Sequence, residues 1–235
     1  MKPVTRRSLL APAAAGAFLA AASAPRAQAQ LVYQRTDWKF KDFQQLVSSP
    51  ARMKQVYDVS AVNGGKFLTS MKNCLNGLHF GFGIAKDQIQ IVAGLHGAAN
   101  MANFDDAIWE KYRIGETFKI DDPETGKPAI RNPFYRSTTA KDGHYASQDP
   151  NDDNSLFQDS SIETLRTRGV QFLSCHTASE EQAKLLIHRW KLDVKREDII
   201  KDLNAHTLPH VLVVPSMVAS ISMLQTDGHY AYLTA

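Results

Sequence analysis

Residues 170–191, VQFLSCHTASEEQAKLLIHRWK, change from one kind of order to another within a few positions. Val170 to Leu173 is a short apolar run of the length and composition of a buried strand. It runs into Ser174-Cys175-His176, and a helix is expected to start at Thr177 to Ser179 and continue to about Lys191. Thr177-Ala178-Ser179-Glu180 has capping-box spacing, and the acids at 180 and 181 complement the positive end of a helix dipole. A strand passing directly into a helix is half of a βαβ unit, so the rest of the chain is read for others.

Four more strand candidates flank it. Lys54 to Ser60, KQVYDVS, leads into Asn63-Gly64-Gly65, and Gln88 to Leu95, QIQIVAGL, ends in His96-Gly97. His210 to Val214 is nearly all apolar, as a strand covered on both faces should be, and ends in Pro215-Ser216. His229 to Leu233 closes the chain. Helices fall between them. Phe67, Leu68, Met71, Cys74, Leu75 and Leu78 recur at three- and four-residue spacing, and further helices are expected at 104–112, 161–168, 196–204 and 217–226. Alternation of this kind predicts a three-layer α/β/α domain with a mostly parallel sheet of about five strands and right-handed crossovers.

The termini and one internal stretch read differently. Thr5-Arg6-Arg7-Ser8 precedes an apolar run, Leu9 to Ala22, too short to span a bilayer, and Ala27-Gln28-Ala29 is a small-x-small cleavage site. Residues 1–29 therefore read as a twin-arginine signal peptide cleaved near Ala29/Gln30. That makes the mature protein periplasmic, with no stable membrane insertion. Residues 30–50 read as an arm with one short helical turn, and 51–235 as the α/β domain. An insertion at about 114–159 is too long and too rich in Pro, Gly, Asn and Asp for an ordinary connection, and is a candidate cover for a site.

The excess of bases lies in the leader. The whole chain carries 27 Lys and Arg against 24 Asp and Glu; without Lys2, Arg6, Arg7 and Arg26, 23 bases face 24 acids, a net −1. No basic run follows residue 30, which excludes a nucleic-acid partner.

Ligands of open parallel sheets bind at the carboxyl ends of the strands. Four loops qualify: Asn63-Gly64-Gly65, His96-Gly97-Ala98-Ala99-Asn100, Cys175-His176-Thr177 and Pro215-Ser216-Met217. They bring small residues, helix starts, two histidines and a thiol to one edge, the composition of a site for an anion or a thiol reaction. Cys175 is the sharpest candidate. A helix start and a neighbouring His176 both favour a nucleophilic thiolate. The alternative is a small buried side chain at a strand end. His96 could protonate whatever binds the thiol, or simply bond backbone.

A Cys74–Cys175 disulfide is not expected, because Cys74 sits ~12 Å down its helix from the strand edge. No metal or cofactor is expected either. Pro209 breaks the spacing of His206 and His210. The acidic cluster at 149–154 has Asn154 and Ser160 where a calcium loop needs Gly and Glu.

These residues resemble the DsrE/DsrF family of sulfur-relay proteins, in particular its exported members with twin-arginine leaders. The similarity covers roughly residues 52 to 235. It rests on KQVYDVSAVNGG (54–65), VAGLHGAAN (92–100), GVQFLSCHTAS (169–179) and, most specifically, LPHVLVVPSMVASISMLQTDGHYAYLTA (208–235). The resemblance implies that Cys175 receives sulfur as a persulfide and passes it on. His176 and Thr177 would stabilise it and His96 would line the pocket. Independently of the resemblance, the strand-end rule makes Asn63, Gly64, Gly65, Gly97, Pro215 and Ser216 the expected ligand-binding residues. The resemblance also implies a homo-oligomer and, as partner, a small sulfur species or a sulfur-donor or acceptor protein. The leader, the arm and the insertion depart from the compact members, and the best-known of these act in the cytoplasm. A different class fits the same residues: a non-catalytic module that binds a small anion or a protein, with Cys175 inert.

Overall fold

The computed structural model describes residues 33–136, 149, 152 and 159–235. The expected leader, the cleavage site and most of the acidic cluster fall outside those residues. In chain order the elements are α1 (Phe40–Val47), β1 (Met53–Val59), α2 (Lys66–Asn76), β2 (Ile89–Leu95), α3 (Asp106–Lys111), α4 (Ile114–Phe118), α5 (Ile162–Thr167), β3 (Gln171–Cys175), α6 (His176–Trp190), α7 (Arg196–Ala205), β4 (Leu212–Val214), α8 (Met217–Thr226) and β5 (Ala231–Thr234).

The five strands form one parallel sheet in the order β4-β3-β2-β1-β5. That order fixes the layers. From β1 to β4 the chain moves one strand over, always in the same direction, so right-handed crossovers put the intervening helices on one face. The return from β4 to β5 crosses the whole sheet the other way and carries α8 onto the opposite face, beside α1. Two apolar clusters show the result. Phe67, Met71, Phe104, Ile108, Leu165, Leu186 and Leu203 pack on the α2 to α7 face. Phe43, Met217, Ile221 and Leu224 pack on the α1 and α8 face against Val56, Val92, Leu173 and Val214. The fold is thus a three-layer α/β/α sandwich around a five-stranded parallel sheet.

Three local expectations are corrected. The segment before β1 holds a full eight-residue helix, α1, because Phe43 finds a buried place under the sheet. The stretch expected to be loop from 114 opens with the short helix α4, whose Ile114 and Gly115 are buried; a Cβ on Gly115 would stand 2.3 Å from the Ala129 carbonyl oxygen. Helix α6 begins one residue early, at His176. Its N-cap is Cys175, not Thr177, because the Thr177 hydroxyl is spent on the Pro215 carbonyl at 2.9 Å.

Candidate functional site

Strand β3 hands the chain to α6 on one face, and its neighbour β4 hands it to α8 on the other. The loops after these two strands therefore part, which makes their carboxyl ends the switch point where open α/β sheets form crevices. Cys175 is the last residue of β3 and pairs in register with Val214, the last of β4. Its sulfur accepts the Ala178 amide from the first turn of α6 at 3.5 Å and the Met217 amide that starts α8 at 3.3 Å. Two helix N-termini thus present N–H groups to one sulfur. That donor set suits a negative sulfur or a persulfide.

The same sulfur is well covered. Cys175 is 5% exposed and belongs to the apolar cluster that includes Val56, Val92, Leu173, Ala178, Leu212 and Val214. Met217 roofs it from the α8 side, and its side chain occupies the space above Gly94 of β2, where a Cβ would come within 2.7 Å of Met217 Sδ. Cys74 is on the other side of the sheet, in the apolar group of α2, and its thiol donates to Gln55 Oε1 at 2.8 Å. Both thiols are free. Burial pushes the Cys74 thiol up, opposed by its hydrogen bonds to Tyr57 and Gln55.

A buried polar network holds the backbone of Cys175 in place. Asn100, in the 3₁₀ turn after β2, accepts from the Cys175 amide at 3.0 Å and the Ser174 hydroxyl at 2.9 Å, and donates to Ser179 and Gln182 of α6. Gln182 in turn donates to the Gly97 carbonyl. Gly97 has φ +51°, and a Cβ there would stand 2.7 Å from the Ser60 carbonyl oxygen. Its glycine is therefore a backbone requirement at the end of β1.

The remaining expected residues divide between places. His176 is buried at the start of α6, with its ring stacked on Tyr33 at 3.7 Å and its Nε2 3.7 Å from Glu180. The Tyr33 hydroxyl accepts from Asn204 of α7, so the arm covers the α6 start. Burial pushes the Glu180 carboxyl up, against the pull of Arg196 and Lys184. Pro215 accepts from Thr177, and Ser216 precedes Met217. Asn63, Gly64 and Gly65 do not join the thiol. They line a separate cavity of about 840 Å³ with Lys72, Lys119 and Phe134.

His96 follows β2 and continues its ladder, donating its amide to the Val59 carbonyl. Its Nε2 lies 2.7 Å from Asp58 Oδ1 of β1, and Asp58 Oδ2 accepts the Tyr232 hydroxyl of β5 at 2.6 Å. Asp58 and Tyr232 were not singled out from the sequence, whereas Asn100 belongs to the loop expected at the end of β2. A carboxylate set between the strand formers Tyr57 and Val59, one residue from the end of β1, was the available signal for Asp58. Its partners are 38 and 174 positions away.

Among the described residues, no group of His, Cys, Asp and Glu could hold a metal ion, and no helix is long and apolar enough to cross a membrane. No protein-family model, curated protein or solved structure matches the chain.

Proposed function

We propose that this protein is a periplasmic, DsrE-like sulfur-binding or sulfur-relay protein in which Cys175 carries the sulfur. The observation that carries the reading is the pair of amides, Ala178 N–H and Met217 N–H, aimed at one thiol from two helix starts. A terminal persulfide is anionic and needs such donors. The motif residues at 54–65, 92–100, 169–179 and 208–235 support the family reading and a homo-oligomeric state, and the paired arginines, apolar run and small-x-small site within residues 1–29 support the export route. The partner is a small sulfur species or a sulfur-donor or acceptor protein. Because Cys175 is nearly covered, transfer requires the start of α8, with the Met217 roof, to move aside.

The test is the intact mass of the protein after incubation with inorganic polysulfide. A ~32 Da adduct is expected in the wild type and in Cys74→Ser, and none in Cys175→Ser. Absence of the adduct from the wild type favours the second reading, a non-catalytic module that binds a small anion or a protein. The covered thiol and the separate 840 Å³ cavity with Lys72 and Lys119 are the observations on its side.

A further inference from the structure

Side chains on a strand alternate between faces, and residues paired in parallel register share one. Asp58 of β1 pairs with Gly94 of β2, and Gly94 with Leu173 of β3, which packs on the α1 and α8 face. Two residues beyond Gly94 and Leu173 are His96 and Cys175. The last ladder pair between these strands is Leu95 with Ser174, and continuing the register by one residue places them side by side. Neighbouring strands are about 4.8 Å apart. Cys175, His96, Asp58 and Tyr232 therefore share one face and run diagonally across β3, β2, β1 and β5, with Asp58 two residues below the level of His96 and Tyr232 two residues below that of Asp58.

The diagonal runs from cover to solvent. The side chains of His96 and Asp58 are 28% and 26% exposed, and Tyr232 is 43% exposed, whereas Cys175 is 5% exposed. Direction is fixed within it. A carboxylate only accepts, so Asp58 takes hydrogens from both His96 Nε2 and the Tyr232 hydroxyl. The bond to Asp58 holds the Tyr232 phenol above its ordinary value, which keeps it a donor. With Nε2 carrying the hydrogen, the neutral ring of His96 has its lone pair on Nδ1. The ionisable groups next to His96 across the sheet are Asp58 of β1, hydrogen-bonded to it, Tyr232 of β5 by way of Asp58, and Cys175, its neighbour in the register of β3. Helix α8, packed over this face, is MVASISMLQT and contributes none.

We propose that Asp58 and Tyr232 are positioning residues that hold His96 as the proton acceptor and donor for Cys175, giving the covered thiol its route for proton exchange with solvent. The proposal rests on the reading of Cys175 as a sulfur acceptor and assigns the proton steps of that reaction. The donor is of the class of low-molecular-weight or protein persulfides, RS–SH. The Cys175 S–H bond breaks, and its proton passes to His96 Nδ1. The thiolate pair attacks the outer sulfur of the donor and forms the new S–S bond. The old S–S bond breaks, its electron pair leaves on the inner sulfur, and His96 returns the proton there. One Cys–SH and one RS–SH become one Cys–S–SH and one RSH, with no external oxidant or reductant.

The experiment is the rate of Cys175 alkylation by iodoacetamide against pH, in the Cys74→Ser background, for the parent protein and for Asp58→Asn, Tyr232→Phe and His96→Gln. In parallel, ¹⁵N NMR of the parent reads the His96 tautomer without any variant. Nε2–H is the expected tautomer. Asp58→Asn removes the charge that holds the imidazolium, so the inflection of the profile should move to lower pH and neutral-pH alkylation should slow roughly tenfold or more. Tyr232→Phe removes a hydrogen bond that spreads the Asp58 charge, so the inflection should move to higher pH. His96→Gln should leave only the inflection that comes from ionisation of the thiol itself. Displacement of the Asp58 and Tyr232 variants in the same direction, identical profiles in all variants, or an Nδ1–H tautomer each overturns the relay. Opposite displacements with no ~32 Da adduct overturn the sulfur-carrier reading and leave the relay standing as a thiol-activating device. An adduct with unchanged profiles does the reverse.

Discussion

Met217 lies directly over Gly94. A Cβ at position 94 would come 2.7 Å from Met217 Sδ and 3.4 Å from the Tyr57 carbonyl oxygen. The same Met217 gives its amide to Cys175, so the glycine in β2 sets how closely the start of α8 can approach the thiol at the end of β3.

Gly94→Ala therefore tests the roof. Met217 is 1% exposed and has little room, but its side chain is flexible, so overpacking should cost about 1–2 kcal/mol, toward the low end for a close-packed core. Displacing α8 should also open the sulfur, and iodoacetamide should reach Cys175 faster than in the parent. A drop in the urea midpoint with no change in Cys175 labelling would show that the roof does not govern access.

Asn100→Ala tests the network behind the thiol. The substitution strips the Cys175 amide and the Ser174 hydroxyl of their acceptor, and Ser179 and Gln182 of a donor, all in buried surroundings. Buried groups left without partners cost more than a bond between them contributes, and a loss of about 3 kcal/mol is expected. Urea unfolding at constant m is the measurement, and a loss under about 1 kcal/mol would contradict the role given to Asn100.

Glu180→Gln tests the buried carboxylate beside His176. Burial raises the Glu180 carboxyl in the folded state, so the folded protein holds that proton more tightly than the unfolded chain. Stability from this group is full below the ordinary carboxylate range and is lost as pH rises through the raised folded value. The Gln variant should thus match the parent in acid and exceed it at neutral pH. A variant less stable than the parent at neutral pH would mean that the 3.7 Å contact with His176 outweighs desolvation.

The elements themselves were largely legible. All five strands and helices α2, α3, α5, α6, α7 and α8 fall within a few residues of their expected places, because apolar periodicity is a local property that packing only trims. The discrepancies come from tertiary contacts. Thr177 looked like the cap of α6, but the Pro215 carbonyl claims its hydroxyl and the thiol of Cys175 caps the helix instead. Phe43 turns the arm into a helix because the lower face of the sheet needs covering.

From the sequence by itself came the alternation of strand and helix, the parallel sheet it requires, and the presence of a thiol at a strand end before a helix. Only the tertiary structure decided that β4 lies beside β3 while β5 lies beside β1. That order separates the paths of α6 and α8 and sends both helix starts to one sulfur. It also sets Cys175, His96, Asp58 and Tyr232 in a diagonal on one face of the sheet and leaves Asn63-Gly64-Gly65 in another cavity. Strand order depends on which faces find partners across the whole chain, and pairing between residues as far apart as Asp58 and Tyr232 leaves no local trace in the order of amino acids.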